Sequence, residues 1–245
     1  MNKLRLREGG VLPYDDTFIV EAFDSTISYL EAIGSGQMWG SQPFSEKEGF
    51  VEETAKDVRT SEKYRTTGEG DALRVFLAEV VVEPSAKPPP NSATKPPGPR
   101  YWTADDGTCM ISVGAVFIRE NWLPGHIKSQ FQVDAIRTEL KGNEGFVYLD
   151  VLVTDFRTGH HRKGAGEALV RQAKDYGLKK GMKTLYVDAW AGNGMKLVEF
   201  YEKQGFSVVS DFEMKRANGT VWPGTLLRVG LEGFEWDIDS KDNDE

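Results

Sequence analysis

A basic, glycine-rich turn joins an apolar run to an amphipathic pattern in the second half of the chain. The turn reads His-His-Arg-Lys-Gly-Ala-Gly over residues 160–166, and the run before it, residues 146–153, is rich in β-branched and aromatic residues. That run predicts a buried strand, and the helical spacing of apolar residues after the turn predicts a helix that ends near Gly181. Glycines let an anion approach the backbone, and a helix N-terminus attracts it. The segment therefore predicts a phosphate-binding turn.

The spacing of the glycines separates two general types of phosphate loop. A P-loop requires G-x-x-x-x-G-K-[ST], which occurs nowhere in the sequence and is excluded. A dinucleotide fingerprint requires a third Gly or Ala, where this chain has Leu169, although Asp188 lies at a tolerable distance downstream. A nucleotide-dependent oxidoreductase therefore stays open as an alternative.

A third type of loop rests on a resemblance to a known family. Acyl-CoA-dependent N-acyltransferases of the GNAT superfamily carry [Q/R]-x-x-G-x-[G/A] between a strand and a helix, and here this pattern falls on residues 161–166. His161 stands where the pattern has Arg or Gln. Further along, after a strand-like run over 184–190, residues 200–206 resemble the Y-E-x-x-G-F ending of many GNAT enzymes. Two motifs in the order strand, helix, strand, helix are more specific than either alone, and the chain resembles a GNAT enzyme.

The resemblance implies a fold and a donor substrate. The fold is α/β (α+β, GNAT-like), with a mixed, mostly antiparallel twisted sheet, splayed central strands and helices on both faces. Acetyl-CoA is the expected acyl donor, and no metal is expected. The residues expected to bind coenzyme A are Leu152, Val153, Thr154, His161, Arg162, Lys163, Gly164, Ala165, Gly166 and Asn193.

The same resemblance implies direct attack of an amine on the thioester, with both substrates bound together. Tyr201 occupies the position that often protonates the leaving thiolate, and a phenol pKa near ~10 against a thiol near ~8.5 makes this feasible. Packing of its ring beside the coenzyme is the alternative. Asp150 is the catalytic carboxylate candidate, but Asp188, Glu139, Glu144 or water could also accept the amine proton, so the base stays open.

The acceptor site is expected where the sequence has no family pattern. A helical stripe over residues 18–33 and a second helix over 45–61, with a Ser45 and Glu48 capping box, flank a turn that contains Trp39 and Phe44. These two rings, with Trp122 in an insertion at 121–145, are the substrate-binding candidates; plugging a core is the alternative for Trp39 and Phe44. A small-molecule amine is favoured, with a protein lysine or N-terminus, or a non-catalytic coenzyme A-binding module, as alternatives.

Charge and composition limit the possible functions and the domain organisation. The net charge is -8, and residues 232–245 hold seven acidic residues and one Lys, so the body is near neutral and nucleic-acid binding is not expected. Residues 1–231 are predicted to form one domain and 232–245 an acidic tail. A proline-rich segment at 84–99 lies between two strand-like runs, as a hairpin loop if those strands pair or else as a domain linker.

The sequence also predicts where the protein is located and what its single cysteine does. No apolar run spans a bilayer and the N-terminus is unlike a signal peptide, so we expect a cytoplasmic protein, with a nuclear location also compatible, as a monomer or homodimer. Cys109 is the only cysteine, which excludes an internal disulfide and a thiolate cluster. A Cys109 nucleophile with ping-pong kinetics is a rival, but its strand-like context favours an inert core thiol.

Overall fold

The computed structural model describes residues 4–83, 98–216 and 219–231, which form one sheet covered by helices. Its strands are β1 Leu4–Glu8, β2 Leu73–Val82, β3 Tyr101–Thr103, β4 Cys109–Glu120, β5 Phe146–Thr154, β6 Thr184–Trp190, β7 Ser207–Lys215 and β8 Val221–Gly230. Its helices are α1 Asp15–Ala32, α2 Phe50–Thr67, α3 Gly125–Lys128, α4 Asp134–Leu140, α5 Ala165–Lys179 and α6 Lys196–Lys203. Residues 84–97 of the proline-rich segment and the acidic tail lie outside the described residues.

The sheet is mostly antiparallel. Its order is β1-β2-β4-β5-β6-β8-β7, with β3 paired to β4, and within the described ranges only β5 and β6 run parallel. The predicted mixed, mostly antiparallel sheet is confirmed. Strands β2 and β4 pair from Leu73 opposite Arg119 to Val82 opposite Cys109, so the two runs around the proline-rich segment are paired, as predicted. The division into one domain and a tail stays a prediction.

Helices α1 and α2 cover one face of the sheet. The predicted stripe of α1 is buried at Phe18, Ile19, Ala22 and Phe23. The predicted start of the second helix at Ser45 is wrong: α2 begins at Phe50, after Gly49 in the left-handed conformation. A short 3-10 turn over Phe44–Glu46 intervenes, so the capping box does not form.

Helices α5 and α6 cover the other face. Ala165, Leu169, Ala173 and Tyr176 of α5 are buried against the sheet, which confirms the predicted helix. Asn193 does not open the next helix, although its residue type is a common helix N-cap. Residues 193–195 all have positive φ and form a 3-10 turn, so α6 begins only at Lys196.

The insertion at 121–145 forms α3 and α4. These helices pack through Ile127, Ile136 and Leu140 onto Tyr148 and Tyr186, on the α1 face of the sheet but around β5 to β8. Ile136 and Leu140 lie in α4, whereas Phe131 precedes it.

Strands β7 and β8 form an antiparallel pair on either side of Gly219. A proline in a strand usually marks a bulge or an edge, but here the irregularity lies in β7 between Val208 and Ser210, and β8 is an interior strand. Pro223 is tolerated because β6 pairs with β8 only as far as Gly224. The Pro223 carbonyl accepts a hydrogen bond from the Ala191 N–H at 3.0 Å, just beyond the end of β6. The nitrogen and the carbonyl of one strand residue point to the same side, so the Pro223 nitrogen, which has no hydrogen to donate, faces a side where no β6 residue requires a donor.

Candidate active site

Strands β5 and β6 separate halfway along their length. Their pairing ends at Leu149 opposite Val187, after which β5 continues alone beside β4, and β6 beside β8. A β-bulge marks the point of separation, because Ile118 of β4 pairs with Leu149 while Phe117 pairs with Val151. The predicted splaying of the central strands is confirmed. Beyond the bulge, backbone groups of β5 that face β6 have no strand partner in the described ranges.

The bulge places the side chains of Asp150 and Leu152 on opposite faces of the sheet. Arg119 donates to Asp150 at 2.7 Å and to Asp57 of α2 at 2.9 Å, so Asp150 lies on the α1 and α2 face. Leu152 packs against the opposite face, whereas unbroken strand alternation predicts that the two residues share one. That expectation is wrong because Asp150 is the extra residue of the bulge, so the alternation shifts by one residue after it. Burial raises the pKa of Asp150, and the Arg119 guanidinium only partly opposes this.

A cleft of about 330 Å³ opens at the separation of the strands and reaches both faces of the sheet. Its walls are apolar and aromatic, with a few titratable groups among them. The residues that line it are Phe23, Met38, Trp39, His126, Leu149, Asp150, Val151, Leu152, Val187, Asp188, Trp190, Leu197, Tyr201, Met214, Arg216 and Trp222.

Tyr201 enters the cleft from the α6 side of the sheet. Its side chain is 3% exposed, and its ring packs between those of Phe200 and Phe206, with centroids 5.1 and 5.5 Å away. Burial, and then the nearby Asp188 carboxylate, raise the pKa of the Tyr201 hydroxyl above its ordinary value. The hydroxyl therefore keeps its proton at neutral pH, as a proton donor must, but it is a weaker acid than a free phenol.

Asp188 lies at the centre of a polar group on the opposite wall. The Tyr148 hydroxyl donates to its Oδ1 atom, and His126 Nε2 lies 3.2 Å from its Oδ2 atom, close enough for an ion pair although not in hydrogen-bond geometry. Burial lowers the pKa of His126, but Asp188 and Asp150 outweigh it, so the pKa lies above the ordinary value. Sequence reasoning missed His126, because a lone histidine in an insertion carries no signal of where it folds.

The predicted phosphate turn follows β5 by a short 3-10 segment. Gly164 adopts φ 83°, a left-handed conformation, immediately before α5 begins at Ala165. The first N–H groups of a helix have no partner within it, and the helix dipole adds positive charge there. Lys163 is exposed beside them. These groups fit a pyrophosphate at the end of the widened strand pair.

The other basic side chains of the turn, Arg162, His160 and His161, are already in contact with protein groups. The Arg162 guanidinium lies over the Phe156 ring at 3.8 Å and near Tyr29 at 5.6 Å. The rings of His160 and His161 are 4.0 Å apart, and burial, then His160, lower the pKa of His161. Lys163 and the backbone are therefore better placed than Arg162 to bind an anion.

A close backbone approach brings β4 against β5 at the start of the turn. A Cβ atom added to Gly114 of β4 would lie 2.7 Å from the Val153 carbonyl oxygen, so only glycine fits opposite Thr154. Leu152, Val153 and Thr154 lie where β5 runs past the bulge toward the turn, as predicted for the pantetheine-binding strand. Their role in binding stays a prediction.

Comparison with known proteins identifies the family. The sequence model described as the acetyltransferase (GNAT) family matches residues 72–206, more than half of the 245 residues. The chain belongs to the GNAT acetyltransferase family. It is an acyl-CoA-dependent acetyltransferase that uses acetyl-CoA. No curated protein matches its sequence.

Solved structures with the same fold share little sequence with this acetyltransferase. A GNAT-family protein from Desulfovibrio desulfuricans is 15% identical, with a TM-score of 0.52 over 94% of this chain and 99% of that one. YncA from Salmonella typhimurium, solved with its cofactor acetyl-CoA, is 13% identical, with a TM-score of 0.51 over 94% of this chain and 95% of that one. In the described part of the acetyltransferase, no helix is long and apolar enough to cross a membrane.

The acceptor-site candidates of the acetyltransferase occupy different surroundings. Trp39 lines the cleft, and its role in binding the acceptor stays a prediction. Phe44 is 7% exposed and packs against Phe23, outside the cleft wall, which supports the alternative that its ring fills the core. Trp122 packs at 6.0 Å on the Tyr148 ring and is not part of the cleft wall.

Two further residues singled out in the sequence lie away from the cleft wall. The Asn193 amide donates to the Ile33 carbonyl at 2.8 Å and to the Ser35 hydroxyl at 2.7 Å, so it ties the turn before α6 to the end of α1. Cys109 is buried in the core beside β2 and does not line the cleft, as expected of an inert thiol.

Proposed function

We propose that this acetyltransferase transfers an acetyl group from acetyl-CoA to the primary amine of a small molecule, by direct attack with both substrates bound. The observation that carries the proposal is the cleft at the separation of β5 and β6. It opens to both faces of the sheet, so one substrate can enter from the α5 and α6 face and the other from the α1 and α3 face. Enclosure by aromatic walls favours a small acceptor over a protein surface.

The donor enters along the widened part of β5. The backbone groups beyond the bulge bind the amides of its arm, and the turn at Gly164 with Lys163 binds its pyrophosphate. Leu152 lines the cleft on this side. A backbone N–H near the bulge that points at the carbonyl oxygen would stabilise the negative charge that develops there during attack.

Proton transfers require an acid and a base on opposite sides of the reacting carbon. As the amine nitrogen forms its bond to the carbonyl carbon and the bond from carbon to sulfur breaks, Tyr201 donates its proton to the sulfur. The amine proton goes to the opposite wall. Tyr201 and the Asp188 group line the same cleft from different elements, so both proton transfers can take place without moving either substrate.

His126 is the proton acceptor that fits the opposite wall best. Asp150 was the catalytic candidate, but it is bound to Arg119, and a carboxylate is a weak base for an ammonium ion. An imidazole titrates nearer to neutral pH, and Asp188 stabilises the imidazolium that it becomes. Asp150 and Asp188 then supply negative charge that attracts the ammonium form of the acceptor.

Release of free thiol from acetyl-CoA, measured across a panel of amines, tests the proposal. We expect amine-dependent release and an N-acetylated product of matching mass, with initial-rate patterns that converge because both substrates bind before reaction. Parallel, ping-pong patterns would contradict direct attack. Binding of acetyl-CoA without release by any amine would favour the non-catalytic module.

A further inference from the structure

A second cavity continues the acceptor end of the cleft toward the surface. It has a volume of about 660 Å³ and shares Met38, Trp39 and Arg216 with the cleft, and its outer wall adds Lys47 and the turn at 40–42. Lys47 comes from the connection between α1 and α2, and Arg216 from the end of β7. Two positive side chains from distant parts of the chain therefore face one space at the mouth of the site.

Both cations are held in place by neutral groups. Arg216 donates at 2.8 Å to the Gln37 carbonyl and also to the Met38 carbonyl, which fixes its guanidinium plane while leaving other N–H donors. Lys47 donates to the Trp39 carbonyl at 3.3 Å, and its ammonium lies 3.4 Å from the centre of the Phe44 ring. In residues 4–83, 98–216 and 219–231, neither cation forms a salt bridge with a carboxylate.

Burial disfavours the charge of both side chains, and the proximity of Arg216 further destabilises the charge of Lys47. Burial, and then the proximity of Arg216, lower the pKa of Lys47, although Asp24 partly offsets this, and burial lowers the pKa of Arg216. Partly buried positive charges without an anionic partner are unfavourable in a folded protein. An anion bound between them would relieve the repulsion, and its charge-assisted hydrogen bonds would be strong.

Carboxylates lie at the inner end of the same cleft, where Asp150 is paired with Arg119 and Asp188 lies beside His126. Asp150 and Asp188 face the separation of the strands, with Tyr201 across from them. Trp39, Trp190 and Trp222 line the same cleft and give it an apolar wall. The cleft therefore has carboxylates where the amine must react and positive groups where the rest of the acceptor emerges.

We propose that the acceptor is an amine that also carries a carboxylate, as an amino acid does, with the amine at Asp150 and Asp188 and the carboxylate bound by Arg216 and Lys47. This inference rests on the proposed N-acetyltransferase activity. Arg216 supplies a planar, two-point contact to the carboxylate, and Lys47 adds charge. The aromatic wall of the cleft favours an apolar body.

Matched pairs of acceptors test the inference directly. Each pair is an amino acid and the amine that lacks its carboxylate, such as phenylalanine and phenethylamine or methionine and 3-methylthiopropylamine. We expect kcat/KM to favour the acid by about tenfold to a hundredfold, the range for a charged hydrogen-bond contact. Arg216→Gln should remove most of this preference by raising the acceptor KM, while the KM for acetyl-CoA stays unchanged. Lys47→Gln should remove a smaller part.

Variants separate charge recognition from folding. Arg216→Lys keeps the charge and should keep part of the preference, whereas Arg59→Gln and Lys56→Gln remove exposed charges from α2 and should leave it intact. As a readout without turnover, phenylalanine should raise the melting temperature of the wild-type protein more than phenethylamine does, and Arg216→Gln should abolish the difference.

Three outcomes would overturn the inference. Equal or better turnover of the decarboxylated amines, or an unchanged preference in Arg216→Gln, would contradict carboxylate recognition while leaving the transferase activity in place. Acetylation confined to peptide amines would contradict it in the same way. Absence of amine-dependent thiol release with every member of the panel would contradict the proposed function, and this inference with it.

Discussion

The two halves of the cleft are built in different ways. The donor half is one continuous piece of chain, from β5 through the turn at Gly164 into α5, and it offers mainly backbone groups. The acceptor half is assembled from side chains of α1, the turn after it, α3, β6, β7 and β8. Backbone groups in a fixed geometry are enough to bind the donor, whereas selection of one acceptor requires specific side chains. The halves should therefore respond differently to substitution.

The largest effect is expected where the halves meet, at Tyr201. Tyr201→Phe removes the proposed acid but keeps the packed ring, so we expect kcat to fall about a hundredfold, at the lower end for general acid catalysis, with little change in the KM for acetyl-CoA. Steady-state kinetics at saturating acetyl-CoA measure this.

Tyr176→Phe is the matched control for Tyr201→Phe. Tyr176 is also a buried tyrosine, but its hydroxyl donates to Glu120 and it does not line the cleft. We expect its kcat to stay near the wild-type value. Unchanged turnover in Tyr201→Phe would remove the acid assignment and leave the ring as packing only.

The donor half should be sensitive to backbone conformation. Gly164→Ala forces a side chain into φ 83°, which costs about 1–2 kcal/mol, while the added Cβ meets Leu4 at an ordinary 3.6 Å. If the turn relaxes to avoid this strain, the KM for acetyl-CoA should rise about fivefold to thirtyfold, with kcat at saturation nearly unchanged.

Gly68→Ala separates loss of the turn from loss of stability. Gly68 has φ 71° at the end of α2, with open space around it and no part in the cleft. Its alanine variant should lose similar stability but keep the KM for acetyl-CoA. Equal KM values in the two variants would show that the turn at Gly164 does not bind the donor.

These contrasts explain how much the sequence could predict. The glycine turn and the residues up to Phe206 are local patterns, and the resemblance that they carry implied the mixed sheet and the strand separation. The pairing of the runs around the proline-rich segment was one of two interpretations that the sequence left open. The start of α2 could not be predicted from Ser45 and Glu48, because Gly49 redirects the chain. The side of Asp150 could not be predicted either, since a bulge depends on how β5 pairs with β4. The acceptor half has no local pattern, because residues such as His126 and Arg216 meet only in the folded chain.

The acceptor half should respond to pH through His126. Its pKa lies above the ordinary value of about 6.5 because Asp188 and Asp150 favour the charged form. A base must be neutral to accept a proton, so activity should rise with pH through this raised pKa. Asp188→Asn removes the nearest negative charge and should move the rise in kcat/KM to lower pH.

The direction of that shift tests the assignment. Deprotonation of the acceptor amine also makes kcat/KM rise with pH, but the pKa of the free amine does not change when the protein is substituted. His126→Gln should remove the part of the rise that Asp188→Asn shifts, and reduce activity about tenfold at high pH. A rise that keeps its position in both variants would show that water, and not His126, takes the amine proton.

The smallest effect is expected at Asn193, which was predicted to bind the coenzyme and whose side chain ties the turn before α6 to the end of α1. Its amide donates there to Ile33 and Ser35. Asn193→Ala should cost about 1 kcal/mol for the lost hydrogen bonds and lower the melting temperature by about 2–4 °C. Because the amide points toward α1, the KM for acetyl-CoA should change less than twofold. A several-fold rise in that KM, with the melting temperature unchanged, would show that Asn193 takes part in binding the donor.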